Sequence, residues 1–152
     1  MKQFKYTTLI DKIKKDFKID FSGNHGINHW KRVYENTQIL SSYYKIESDV
    51  FELFALLHDS KRENENIDKY HGKRASVFVQ ELLDNNYISL DSQDTKRLIY
   101  ACANHTSSDK KNPLFNDIIV QICFDSDRLD IGRVGYDVDK KYLALELTPI
   151  TN

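Results

Sequence analysis

Residues 50–59 read VFELFALLHD, a run of almost wholly apolar positions closed by a histidine and an aspartate. A surface helix carries one apolar stripe, whereas a segment apolar on nearly every side belongs at the centre of a bundle. The spacing predicts a helix from about Ser48 to His58. Outward from it, apolar residues recur every three to four positions in both directions. Upstream, about Ile27 to Tyr44 carries Trp30, Val33, Thr37, Leu40 and Tyr44, and about Thr7 to Phe17 carries Leu9, Ile13 and Phe17. Downstream, a helix from near His71 carries Ala75, Phe78, Val79 and Leu82 and ends at Asn85-Asn86. Asp91 or Ser92 caps a fifth helix through Ile99, Cys102 and His105. A sixth covers about Phe115 to Leu129, and DVDKKYLALE (137–146) suggests a shorter last one. The polar stretches DSKRENENIDKY (59–70) and TSSDKKNP (106–113) read as loops, and Pro113 and Pro149 fall in loops as well. Strand-type alternation is sustained nowhere. The expected fold is all-α, a single-domain helical bundle over residues 1–152.

The chain has 152 residues, 40% hydrophobic and 30% charged, enough for one domain with a buried core. A formal charge of -1 offers no global attraction to nucleic acid or an anionic membrane, so an anionic ligand needs a local basic cluster. No stable nucleic-acid partner is expected. The N-terminal MKQFKYTTLIDKIKKDFK interleaves lysines with apolar residues and lacks the continuous apolar stretch of a signal peptide or membrane span. A cytoplasmic location is expected. Cys102 and Cys123 lie in apolar contexts and read as small core residues. Tyr43-Tyr44 leaves a homodimer open.

All five histidines, His25, His29, His58, His71 and His105, fall at predicted helix ends or loop edges, where several helices of a bundle can converge. The central helix delivers His58-Asp59 at the edge of the core, and an ionised aspartate there is costly unless paired or bound to a cation. A helix cap followed by a loop explains that dipeptide equally well. In CFDSDRLDIGRVG (123–135), three carboxylates alternate with Arg128 and Arg133 after an apolar run; ion pairs at a helix end and a metal-binding Asp127 both fit. In HGINHWKRV (25–33), Gly26 and Asn28 put His25 in a loop and His29 in the first turn of its helix. His71 and His105 each sit where an apolar helix meets a polar loop, and packing accounts for either one singly.

Read in order, His29, His58-Asp59 and Asp127 resemble the H…HD…D signature of the HD superfamily of metal-dependent phosphohydrolases. HGINHWKRV, FALLHDSKR, HGKRAS, ACANHT and DSDRLDIGRVG are similar, segment by segment, to small stand-alone bacterial HD proteins across about residues 25–136. The resemblance implies a bundle of five or more helices with a divalent metal at its centre. His71 and His105 resemble the extra histidines of HD hydrolases that cleave diadenosine tetraphosphate, and more loosely those of the HD-GYP phosphodiesterases. Carried over, they would bind a second ion, with Asp59 bridging. No GYP-like loop follows His105, which argues against a cyclic dinucleotide.

The implied metal set is His29, His58, Asp59, His71, His105 and Asp127, holding one or two ions. Nitrogen and carboxylate ligands together suit Mn, Fe, Co, Ni or Zn better than Mg, which prefers all-oxygen shells. Among them Mn or Fe is the expected ion, with Mg still accommodated. The implied reaction is hydrolysis of a phosphomonoester or phosphoanhydride of a nucleotide or similar small metabolite by metal-activated water. Asp59, His25 and Lys61 are the candidate catalytic residues, His25 as phosphate holder, proton donor or loop residue alone. Lys61, Arg62, Arg74, Arg128 and Arg133 follow or flank the ligand words and are the candidate phosphate contacts, although Lys73 and Arg74 equally fit a solvated helix face. A catalytically silent, metal-containing nucleotide sensor keeps the same ligands. A structural domain with packed histidines is the third reading. Substrate choice would rest on the loops near Glu63–Tyr70 and Ser107–Pro113.

Overall fold

The computed structural model describes residues 2–107 and 109–145. Six helices follow in order: α1 (Thr7–Asp16), α2 (Ile27–Tyr44), α3 (Val50–Leu57), α4 (His71–Asp84), α5 (Ser92–Asn104) and α6 (Ile118–Arg128). Short 3-10 turns occupy Pro113–Asn116, Ile131–Val134 and Lys140–Tyr142, and no strand occurs among the described residues. None of the described helices is long and apolar enough to cross a membrane.

Every residue of α3 is buried, and the helix packs against α2, α5 and α6. Its apolar side chains, Val50, Phe51, Leu53, Phe54, Leu56 and Leu57, join one core with Trp30, Val33 and Leu40 of α2, Leu98 of α5 and Ile122 and Phe124 of α6. Such all-round burial is why this helix can do without a polar face. Glu52 is the one charged residue within it. Its carboxylate Oε2 accepts the backbone N–H groups of Lys5 and Tyr6, each at 2.8 Å, and so ties the N-terminal segment to the bundle.

Two glycines set the distances that matter later. A Cβ on Gly26 would lie 2.0 Å from the Phe21 carbonyl oxygen, the same oxygen that accepts the Ile27 N–H at 2.8 Å. Only glycine permits the loop to close so tightly onto the start of α2. A Cβ on Gly72 would lie 2.6 Å from the Cys102 carbonyl oxygen, so the backbones of α4 and α5 touch there. Trp30 secures the same region as Gly26: Phe17 and Phe21 meet its ring edge-on, and its indole N–H donates to the His25 carbonyl at 2.9 Å.

The all-α expectation holds, and the helix bounds match closely through α5, with Asp91 capping α5 by accepting the Asp94 N–H at 2.8 Å. Two segments differ. The sixth helix was expected from Phe115, but Asp117 is extended and its carboxylate accepts the N–H groups of Ile119 and Val120, so α6 starts at Ile118. Pro113 opens a separate 3-10 turn ahead of it. The last expected helix is only the turn Lys140–Tyr142, because the N–H groups of Ala144 and Leu145 donate to the buried Asp125 carboxylate instead of to a helical carbonyl. Glu146 and Pro149 lie outside the described residues.

Candidate metal centre

Five helices bring polar ends to one point. His29 stands in the first turn of α2, His58 caps the C-terminus of α3 with Asp59 next, His71 opens α4, His105 caps the C-terminus of α5, and Asp127 lies in the last turn of α6. All six are buried. The His58 ring is held by stacking on Phe54, with centroids 4.8 Å apart. The contact at Gly72 is what lets His71 reach His105.

The ligand atoms form two groups that share Asp59. In the first, His29 Nε2 is 3.0 Å from His58 Nε2, 3.4 Å from Asp59 Oδ2 and 3.1 Å from Asp127 Oδ1. His58 Nε2 is 3.4 Å from each of the same two carboxylate oxygens. In the second, Asp59 Oδ1 is 3.2 Å from His71 Nε2 and 3.4 Å from His105 Nε2, and these two nitrogens are 2.9 Å apart. An ion about 2.1 Å from nitrogen and oxygen ligands sets neighbouring ligand atoms about 3.0 Å apart in octahedral and about 3.4 Å apart in tetrahedral coordination. The observed separations fall on those values, so His29, His58 and Asp59 on one side, and Asp59, His71 and His105 on the other, can each hold a metal ion, with Asp127 Oδ1 beside the two histidines of the first set.

Hydrogen bonding on the far side of each ring agrees. His58 Nδ1–H donates to the carbonyls of Phe54 and Ala55, His71 to that of Asp68, His105 to that of Cys102, and His29 to the Asp130 carboxylate. With Nδ1 carrying the proton, each neutral ring turns an Nε2 lone pair inward. Lone pairs facing one another at 2.9 and 3.0 Å repel unless a cation or a proton lies between them. Asp59 Oδ2 and Asp127 Oδ1 are buried with no hydrogen-bond partner among the described residues, and both face the first group. Buried carboxylate oxygens without donors are costly. The donor set fits a divalent ion.

With no ion bound, the neighbouring carboxylates favour a proton on His29. Burial alone would lower the His29 pKa, but Asp127, Asp130 and Asp59 outweigh it and raise the value to about 10. Burial would push Asp59 and Asp127 up. The facing histidines reverse this and hold both carboxyls well below their ordinary range, His58 acting most strongly on Asp59 and His29 on Asp127.

The remaining expected site residues divide. His25 is buried beside the cluster, its ring centroid 6.4 Å from that of His29 and its Nδ1 3.3 Å from Glu65 Oε2. Burial lowers its pKa, against the pull of Asp59. Arg133 Nη2 is 3.7 Å from Asp127 Oδ1, while its Nε–H donates to the Asn24 carbonyl. Arg62 donates to Asp59 Oδ1 at 3.3 Å and to the carbonyls of Asn64 and Asn66. Arg74 turns away, its Nη2 donating to both carboxylate oxygens of Asp68 at 2.6 and 2.7 Å, and Lys73 is exposed. Arg128 donates to the Tyr142 carbonyl, and the Lys61 ammonium rests on the Phe78 ring at 4.0 Å. Ser60, Lys61, Arg62 and Arg74 line a cavity of about 340 Å³ together with Asp16 and Lys18. A larger cavity of about 960 Å³, between the N-terminal segment and the α2–α3 turn, contains none of the cluster residues. Asp68 and Asp130 anchor His71 and His29 from behind; sequence reading noted Asp130 only as one carboxylate of the DSDRLD run.

No protein-family model, curated protein or solved structure matches the chain.

Proposed function

We propose that this chain is a metal-dependent phosphohydrolase of the HD type, acting on a phosphomonoester or phosphoanhydride of a nucleotide or similar small metabolite. The observation that carries the reading is the division of Asp59: Oδ2 faces His29 and His58, and Oδ1 faces His71 and His105. A carboxylate shared between two ligand groups is the arrangement that supports in-line displacement at phosphorus. When bound, divalent ions there would acidify water and neutralise phosphate charge. His29, His58, Asp59 and Asp127 would hold one ion, and Asp59, His71 and His105 the other. Arg133, beside Asp127, is placed to receive a phosphate oxygen by a charge-assisted hydrogen bond. His25, buried next to His29, is the candidate donor of a proton to the leaving oxygen.

A second reading is a catalytically silent, metal-containing nucleotide-binding module. It is favoured by one observation: Arg62, Arg74 and Arg128 are already engaged by carboxylates or carbonyls of the chain itself. The test is phosphate release from nucleoside phosphates and dinucleoside polyphosphates by protein supplied with Mn or Fe. The phosphohydrolase reading expects turnover that chelation abolishes and that Asp127→Ala reduces by at least about a hundredfold. Metal-dependent binding without turnover supports the second reading, and neither binding nor turnover overturns both.

A further inference from the structure

One of the four histidines is held differently from the others. His58, His71 and His105 give their Nδ1–H to backbone carbonyls, whereas His29 gives its own to a carboxylate, Asp130 Oδ2, at 2.7 Å. The other oxygen of that carboxylate accepts the Arg32 Nε–H, also at 2.7 Å. The backbone beneath is fixed as well: the Asp130 N–H donates to the Asp127 carbonyl at 3.1 Å, and its own carbonyl accepts Arg133 Nη1–H at 2.9 Å. The Asp130 side chain is largely buried, while Arg32 reaches it from the exposed side of α2.

We propose that Asp130 is a positioning residue for the ion held by His29, and that Arg32 is its clamp. A carboxylate behind an imidazole fixes the tautomer and ring orientation and strengthens the opposite nitrogen as a donor, more than a neutral carbonyl does. The Arg32 guanidinium, about one turn along α2 from His29, keeps the carboxylate turned to Nδ1 and prevents it from swinging inward as a further ligand. The two ligand groups are therefore unequal: one contains a carboxylate-backed imidazole and the other contains only carbonyl-backed rings. This rests on the metal-centre reading and on no particular reaction.

The experiment measures Co(II) and Mn(II) affinity by competition with a chromophoric chelator, in two backgrounds. In His71→Ala the ion that remains is the one on His29, and there Asp130→Asn is expected to weaken binding about 10- to 100-fold and shift the Co(II) visible spectrum. Asn has one acceptor oxygen, so it can still receive the Nδ1–H but then turns its NH2 toward Arg32. The variant removes the charge and the clamp together at nearly unchanged shape, and Asp130→Glu is expected to recover part of the loss. In His29→Ala the ion that remains is on His71 and His105, and there Asp130→Asn is expected to change affinity less than twofold. Equal binding with and without Asp130→Asn in the first background overturns the proposal. So does an equal loss in both backgrounds, which would mark a general structural defect. A wild-type protein that takes up no ion overturns the metal-centre reading and this proposal with it, whereas a loaded wild type with an indifferent Asp130→Asn overturns this proposal alone.

Discussion

His29 Nε2 faces the carboxylates of Asp59 and Asp127 and its Nδ1 faces that of Asp130, and together they favour a proton on this ring in the metal-free protein. Its folded pKa of about 10 exceeds the ordinary 6.5, so its contribution to stability is complete below pH 6.5 and is lost as pH rises toward 10. Asp59 and Asp127 have folded values well below the ordinary 3.8, so theirs is present above pH 3.8 and is lost as acid approaches those lowered values. Metal-stripped protein should therefore show its highest melting temperature between those two ordinary values and a decline from pH 6.5 to 10. A melting temperature that is flat or rising over that alkaline range in the presence of chelator would contradict the protonated-His29 account. The cluster residues were legible in the sequence only as a set, because a cap, an ion pair or packing accounts for each one singly and the resemblance of the ligand words is what joined them. The cations were less so. Lys61, Arg74 and Arg128 stand next to ligand words, yet their long side chains leave for Phe78, Asp68 and the Tyr142 carbonyl. Adjacency along the chain does not fix where a flexible side chain ends.

At the scale of elements, the α4–α5 contact decides whether the second ligand group exists. Gly72→Ala would place a methyl 2.6 Å from the Cys102 carbonyl oxygen, with backbone and no flexible side chain to yield. The helices must separate, at a cost of about 1–3 kcal/mol, and His71 moves away from His105. The expected result is a lower melting temperature and loss of the ion on His71 and His105, with the ion on His29 retained; unchanged affinity at both positions would show that the contact does not set the site. The helices themselves were readable because their apolar spacing is regular. Both misjudged segments have a local cause: Asp117 caps α6 ahead of an apolar run, a signal present in the sequence, while Asp125 captures the N–H groups of Ala144 and Leu145, a long-range bond that periodicity does not reveal.

At the scale of the molecule, α3 is the shared wall: α2, α5 and α6 all pack on it, and its C-terminal end delivers His58 and Asp59 to the place where their ends meet. That convergence of distant segments was foreseeable only through the resemblance of the ligand words, since spacing along the chain gives no distance in space. The central claim is a metal centre built on Asp59, and elemental analysis of the purified protein beside a His58→Ala, Asp59→Ala double variant tests it most directly. The account predicts about two divalent ions per chain in the wild type and their loss in a variant that stays folded by circular dichroism. A wild type without metal after Mn or Fe is supplied, or a double variant that binds as much, would contradict it.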